Sequence, residues 1–232
     1  MNARSQLPLA LAPPPHPSFD NYIAGPNGSV VATLRDGLET GSWTLLKGPA
    51  GHGRSHLLTA AFHHHQRLGR DSAYLPLSRS AVWALLPTTE AALVVVDDVD
   101  EVSGVADAER ALFNALNDWR AAGTTVLMSA TSLDEIALPD LRSRLGQATR
   151  LTLKPLAEDD LLTLVQQWVD AYEAVLSPGA ASYLISRTER APAALSRLVS
   201  ALAQQALAER RSVSIPLIRS HFQREDNASS GF

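Results

Sequence analysis

The sequence predicts an α/β fold: a parallel five-stranded sheet with helices on both faces, followed by a small C-terminal helical domain. Three observations predict it. Short apolar runs recur at Trp43–Lys47, Ala73–Leu77, Leu93–Asp97, Thr125–Ser129 and Thr149–Leu153, with helical composition between them. That alternation is how parallel strands are joined. The segment Gly48-Pro49-Ala50-Gly51-His52-Gly53-Arg54-Ser55 matches the phosphate loop G-x-x-x-x-G-K-S/T at every fixed position but one, where Arg54 replaces lysine. It lies between a strand and a helix, the context in which such a loop works. Past Lys154-Pro155-Leu156 the strand pattern stops and the remainder reads as helix.

Residues 1–18 read as a flexible tail. Leu11 to Pro17 carries four prolines, which exclude helix and favour polyproline II. The fold begins near Phe19, and a base domain is expected over 19–154. Trp43–Lys47 is a buried strand feeding the loop, and Ser55–Leu68 is the helix that leaves it. Leu93–Val96 is apolar throughout, as a strand buried on both faces must be. A helix is expected from Ala108 to Ala121, capped by Asp107 and stopped by Gly123. Its stripe of Leu112, Ala115, Leu116 and Trp119 has helical spacing and reads as core packing. The helical domain spans 155–224, with helices near Glu158–Glu173, Pro178–Arg187 and Pro192–Glu209 and a short piece from Ile215. Residues 225–232 are expected to be a disordered tail.

The loop announces chemistry. Its glycines let successive N–H groups turn inward around phosphate oxygens, and the following helix adds the positive end of its dipole. Gly48 to Ser55, with His56 beyond, are the candidate phosphate contacts. The Ser55 hydroxyl would meet Mg²⁺. Arg54 keeps the positive charge, but as a broad planar fork instead of a slim point charge. Binding should survive that change better than hydrolysis. A Gly-rich surface turn is the plainer alternative; the flanking strand and helix argue against it. At the end of Leu93–Val96 stand two carboxylates. Asp97 would hold Mg²⁺ directly or through water. Asp98 takes the place of the group that polarises attacking water, one methylene shorter than the usual Glu. An acidic loop extended by Asp100 and Glu101 would look similar, but its spacing from the phosphate loop favours the catalytic reading.

Composition bounds the rest. The 232 residues are 45% hydrophobic, enough for a sizeable core. A net charge of -4 announces no general nucleic-acid surface. With no cysteine there is neither a disulfide framework nor a thiolate metal site. His63, His64 and His65 point in different directions on a helix, and His52 and His56 lack acidic partners, so no zinc site is expected. No G-x-S-x-G elbow occurs. The first residues lack a secretory pattern and no stretch reaches membrane-spanning length, so a cytoplasmic protein without membrane contact is expected.

Several segments resemble AAA+ proteins of the DnaA initiator clade. Phe19-Asp20-Asn21-Tyr22-Ile23-Ala24-Gly25-Pro26-Asn27 resembles the clade's box that lies against adenine, which implies nucleotide contacts for Tyr22 and Ile23. Gly53-Arg54-Ser55-His56-Leu57-Leu58 resembles the phosphate loop of the Hda family of DnaA regulatory inactivators, arginine included. Leu138-Pro139-Asp140-Leu141-Arg142-Ser143-Arg144-Leu145 resembles the arginine-finger box, which implies that Arg144 acts in trans on a partner's phosphate. Ser129 and Thr131 fall where the clade places its first sensor. The resemblance covers most of residues 19–222. The initiators carry a DNA-binding helix-turn-helix after the lid, and the chain stops there, which favours the shorter family.

In the tail, Gln6-Leu7-Pro8-Leu9-Ala10-Leu11 resembles the Q-L-x-L-x-L peptide that docks on the β sliding clamp. Gln6, Leu7, Leu9 and Leu11 are the implied anchors, presented on an extended segment. The implied function is negative regulation of DNA replication initiation. With the clamp on DNA, the protein would stimulate hydrolysis of DnaA-bound ATP, holding ADP or ATP with Mg²⁺ itself, in association with the nucleoid or replisome. Self-association is left open. The family's second-sensor arginine falls at Pro192, with Arg190 and Arg197 nearby. Two other readings are a weak stand-alone ATPase of helicase-loader type and an initiator paralogue that recruits partners without affecting hydrolysis.

Overall fold

The computed structural model describes residues 16–229, of which 225–229 are described as backbone only. It divides into two compact units, one ending at Pro155 and one beginning at Leu156.

The first unit contains all five strands: β1 (Trp43–Lys47), β2 (Ser72–Pro76), β3 (Leu93–Asp97), β4 (Thr125–Ala130) and β5 (Thr149–Thr152). Every pairing is parallel, in the order β2-β3-β4-β1-β5. Its helices are α1 (Gly28–Asp36), α2 (Arg54–Arg67), α3 (Ala106–Ala121) and α4 (Pro139–Gly146).

Strand periodicity sorts the apolar residues onto two faces. Leu45, Val94, Val96, Val126 and Met128 pack with Leu112, Leu116 and Trp119 of α3 and Leu141 and Leu145 of α4. Leu46, Val95 and Leu127 pack with Val30 and Leu34 of α1 and Leu57 and Leu58 of α2. This double cover explains why β3 and β4 are apolar without alternation. The edge strand β5 is mostly exposed and carries Arg150, which discourages further pairing.

The chain departs from expectation in several places. Strand β2 begins and ends one residue early, at Ser72–Pro76, although Leu77 still donates its N–H to the Asp97 carbonyl at 2.9 Å. Helix α3 starts at Ala106, so Asp107 lies in its first turn while Val105 takes the cap position. Glu109 serves the helix start instead, accepting the Gly104 N–H at 2.8 Å. Helix α1 and a 3-10 segment at Ser80–Thr88 had no sequence signal strong enough to place them. Helix α1 lacks a side-chain cap, and the 3-10 segment contains Pro87.

The second unit consists of α5 (Glu158–Ala171), α6 (Ala180–Arg187), α7 (Pro192–Ala208) and α8 (Ile215–Ser229). Leu161, Val165, Leu184, Leu195, Val199, Leu202 and Leu217 form its core. Pro192 opens α7, where a missing N–H costs nothing. Gly179, at φ 76°, sets the start of α6 two residues after Pro178. Helix α8 is longer than the short piece expected. Its backbone stays helical to Ser229, across most of the segment expected to be disordered.

Candidate functional site

The carboxyl ends of β1, β3 and β4 come together at the phosphate loop, the usual place for a ligand in an open parallel sheet. Two of the loop's glycines carry left-handed backbone, Gly51 at φ 75° and Gly53 at φ 92°. Gly53 has a second constraint: a Cβ there would lie 3.0 Å from Cε2 of Tyr22. A Cβ on Gly48 would meet the Leu153 side chain at 2.9 Å. The loop is therefore shaped by backbone alone, as a cradle of N–H groups requires. His52 turns its Nδ1 back to the Ala50 carbonyl at 2.9 Å, within the loop itself.

The preceding segment lies over the loop and α2. Tyr22 packs on Gly53, and its ring centroid is 5.3 Å from that of His56. Burial pushes the Tyr22 hydroxyl up to about 12. His56 Nε2 lies 2.9 Å from the Ser18 carbonyl; burial pulls its pKa below the ordinary value, and that contact opposes the shift. Ile23 follows, half-buried. Asn27 was not among the expected functional residues. It is 2% exposed and makes two reciprocal bonds to Lys154, donating Nδ2 to the carbonyl at 3.0 Å and accepting the N–H at 2.8 Å. This ties the start of the unit to the end of β5.

Arg54 opens α2 and is almost wholly buried. Its Nη2 donates to Asp98 Oδ1 at 2.8 Å, while Nη1 is buried without a partner. Asp98 itself is in left-handed backbone, φ 55°, and its N–H donates to Ser129 Oγ at 2.8 Å. The Ser129 hydroxyl donates to Asp97 Oδ1, and the Tyr74 hydroxyl donates to Asp97 Oδ2 at 2.8 Å. Burial, then Asp97, push the Asp98 carboxyl up to about 6, against the pull of Arg54; Asp100 and Glu101 add smaller upward pushes. Burial and Asp97 also raise the Tyr74 hydroxyl well above the ordinary phenol. Tyr74 carried no sequence signal of a role; its place became visible only once β2 paired with β3.

A phosphorylated ligand fits this arrangement. The glycine cradle, the N-terminus of α2 and the unpaired Nη1 of Arg54 all offer donors to an anion. A magnesium ion would be met by the exposed Ser55 hydroxyl and by Asp97. Each Asp97 oxygen already accepts one hydrogen bond, leaving a lone pair on each. Among the described residues no cluster of three His, Cys, Asp or Glu could hold a metal ion by itself.

A second network organises the segment after β4. Asp100 Oδ2 accepts the N–H groups of Thr131 at 2.9 Å and Ser132 at 3.4 Å. Glu109, 1% exposed, accepts three backbone N–H groups: Gly104 at 2.8 Å, Ala137 at 3.0 Å and Leu138 at 2.6 Å. Burial alone would raise its carboxyl, but these bonds and Arg142 outweigh it and hold the pKa below the ordinary value. Arg142 donates Nη2 to the Ile136 carbonyl. Arg144 is half-buried and directs Nη1 to Gln147 Oε1 at 3.4 Å. Among the described residues it shares no hydrogen bond or ion pair with the Arg54 cluster.

The remaining expected residues divide simply. Gln6, Leu7, Leu9 and Leu11 lie outside the described residues. In the helical unit Pro192 cannot donate from its nitrogen, Arg190 pairs with Glu158 at 3.0 Å, and Arg197 is exposed.

No protein-family model matches the chain. Solved structures do. Domain III of the replication initiation protein DnaA from Thermotoga maritima superimposes with a TM-score of 0.75 at 14% identity, over 88% of this chain and 94% of that one. AMPPCP-bound DnaA from Aquifex aeolicus gives 0.70 at 17% identity, over 92% and 70%. The Thermotoga maritima RuvB Holliday junction branch migration motor gives 0.60 at 17%, over 84% and 64%. The fold is the AAA+ fold. At these identities the likeness establishes architecture. Within that AAA+ architecture, the arginine in the phosphate loop and the short carboxylate after β3 meet each other in a partly buried ion pair. No helix among the described residues is long and apolar enough to cross a membrane.

Proposed function

We propose that this chain is an Hda-like AAA+ regulator that, with the DNA-loaded β sliding clamp, stimulates hydrolysis of DnaA-bound ATP and so prevents re-initiation of chromosome replication. One observation carries the reading furthest: in an AAA+ fold like that of DnaA domain III, the phosphate loop commits its own cation to Asp98. Such a site suits holding a nucleotide better than turning one over. The chemistry is then assigned to the partner's site, with Arg144 supplied in trans. The segment resembling the clamp peptide and the box resembling the arginine finger support the same reading, as does a net charge of -4, which favours reaching DNA through a clamp. The protein would act in the cytoplasm, at the nucleoid.

In its own site, Tyr22 and Ile23 would lie against the base, the loop from Gly48 to Gly53 would surround the phosphates, and Ser55 with Asp97 would hold Mg²⁺. The ion, when bound, would neutralise phosphate charge. DnaA carries AMPPCP in the Aquifex structure, which supports nucleotide binding here. Calorimetry with ADP and ATP is expected to show binding with negligible turnover, and Ser55→Ala to weaken the magnesium-dependent part. A folded protein that binds neither nucleotide would refute this.

Gln6→Ala combined with Leu9→Ala is expected to abolish clamp binding and leave the melting temperature unchanged, because only docking anchors are removed. Retained clamp binding would place docking elsewhere. The deciding experiment is hydrolysis of DnaA-bound ATP with clamp, DNA and this protein, each omitted in turn. Stimulation that needs all three supports the proposal. Hydrolysis by this chain without DnaA would support a loader-type ATPase, and DnaA binding without stimulation a recruiting adaptor.

A further inference from the structure

The Arg54 guanidinium in the phosphate loop is already paired. Its side chain is 8% exposed and that of Asp98 20%. One carboxylate oxygen meets one arm of a guanidinium that carries five donors, and Nη1 is left buried and unmatched. A phosphate group, with several oxygens in one headgroup, could engage both arms at once, the geometry in which arginine binds most strongly.

Asp98 is fixed from behind. Its backbone is left-handed, its N–H is held by Ser129 Oγ, and Ser129 and Tyr74 hold Asp97 beside it. The backbone that carries the carboxylate is thus held, and the carboxylate meets the side chain of Arg54, the first residue of α2.

Resting on the reading of this loop as a nucleotide site, we propose that Asp98 is an internal stand-in for phosphate: it occupies Arg54 in the ligand-free protein and must give up the guanidinium when a phosphorylated ligand enters. Asp98 then sets the affinity of the site instead of activating water. The alternative geometry leaves Arg54 bridging Asp98 and the ligand. Four carboxylates crowd this corner: Asp97, Asp98, Asp100 and Glu101. A bridge would press the phosphate charge against them, whereas exchange lets the guanidinium stand between. The bond between Arg54 and Asp98 must be broken before the phosphate takes the guanidinium, and that cost is subtracted from ligand affinity.

Asp98→Asn tests this in the full chain. Asn keeps the size and tolerates left-handed backbone, and it removes the charge. The probes are ADP and inorganic pyrophosphate, the second reporting on phosphate contacts without a base. Calorimetry is expected to show tighter binding of both, on the order of tenfold, since a charge-assisted bond no longer has to be broken. The ligand-induced rise in melting temperature is expected to grow. Asp98→Glu, which restores the charge, is expected to bind more weakly than Asn. If the Asn variant does not fold, Asp98→Gly removes the same charge at a position whose φ glycine accepts. Unchanged or weaker binding in the charge-free variant, with a parent that binds, overturns the stand-in and leaves the nucleotide reading intact. Failure of parent and variant to bind either probe overturns both.

Discussion

Arg144→Ala is expected to lower stimulation of DnaA's ATP hydrolysis on the order of 10³-fold, the scale of a trans-acting arginine. Folding, nucleotide binding and clamp binding should be unchanged. The geometry of α4 motivates the split. Arg142 donates to the Ile136 carbonyl and fastens the segment that leads into the helix. Arg144 is two residues further on and points to another side; the partner described for it, Gln147 Oε1 at 3.4 Å, is a weak hold. Such a guanidinium is available to a charge that develops on a neighbouring molecule. Its effect belongs to the transition state, so the maximal rate should collapse while complex formation persists. ADP formation from DnaA-bound ATP, measured with clamp and DNA present, reads it directly. Full stimulation by the Arg144 variant would show that the finger is another residue or that the protein reshapes DnaA's own site.

Glu109→Ala is expected to cost about 3 kcal/mol or more of folding stability, because each buried donor left unpaired costs roughly 1–3 kcal/mol. Three backbone N–H groups lose their acceptor together, at the start of α3 and in the segment before α4. Urea denaturation measures the loss. The effect should also depend on pH. The folded carboxyl lies below its ordinary value, held there by the same bonds and by Arg142. The stabilisation is therefore complete above the ordinary carboxyl range, about 4.3, and is lost as pH falls through the lowered value. The stability gap between the parent and Glu109→Gln should be full at neutral pH and close in acid. A gap that stays constant into acid would mean the carboxylate's charge contributes nothing.

The sequence by itself determined the local features. Apolar runs placed Trp43–Lys47 and Leu93–Asp97 at their observed bounds, because a strand covered on both faces must be continuously apolar. The phosphate loop was legible because its demands are local: glycine where φ is positive, and a helix immediately after. The stripe of Leu112, Leu116 and Trp119 lies in the core, as helical spacing required.

Only the tertiary structure decided who meets whom. Arg54 and Asp98 are 44 positions apart, Asn27 and Lys154 127, Ser129 and Asp97 32. Tyr74 looked like an ordinary strand residue until β2 lay against β3. Glu109 carried no sequence signal of a role, and it is the acceptor that anchors the segment before α4. The reason is physical. Periodicity and turn chemistry act over a few neighbouring residues, so they are written in short stretches of sequence. A buried pairing depends on the strand order β2-β3-β4-β1-β5, in which β1 sits between β4 and β5, and on no signal near either partner. The sequence could name the arginine in the loop; the sheet order decided that its counter-charge would be Asp98.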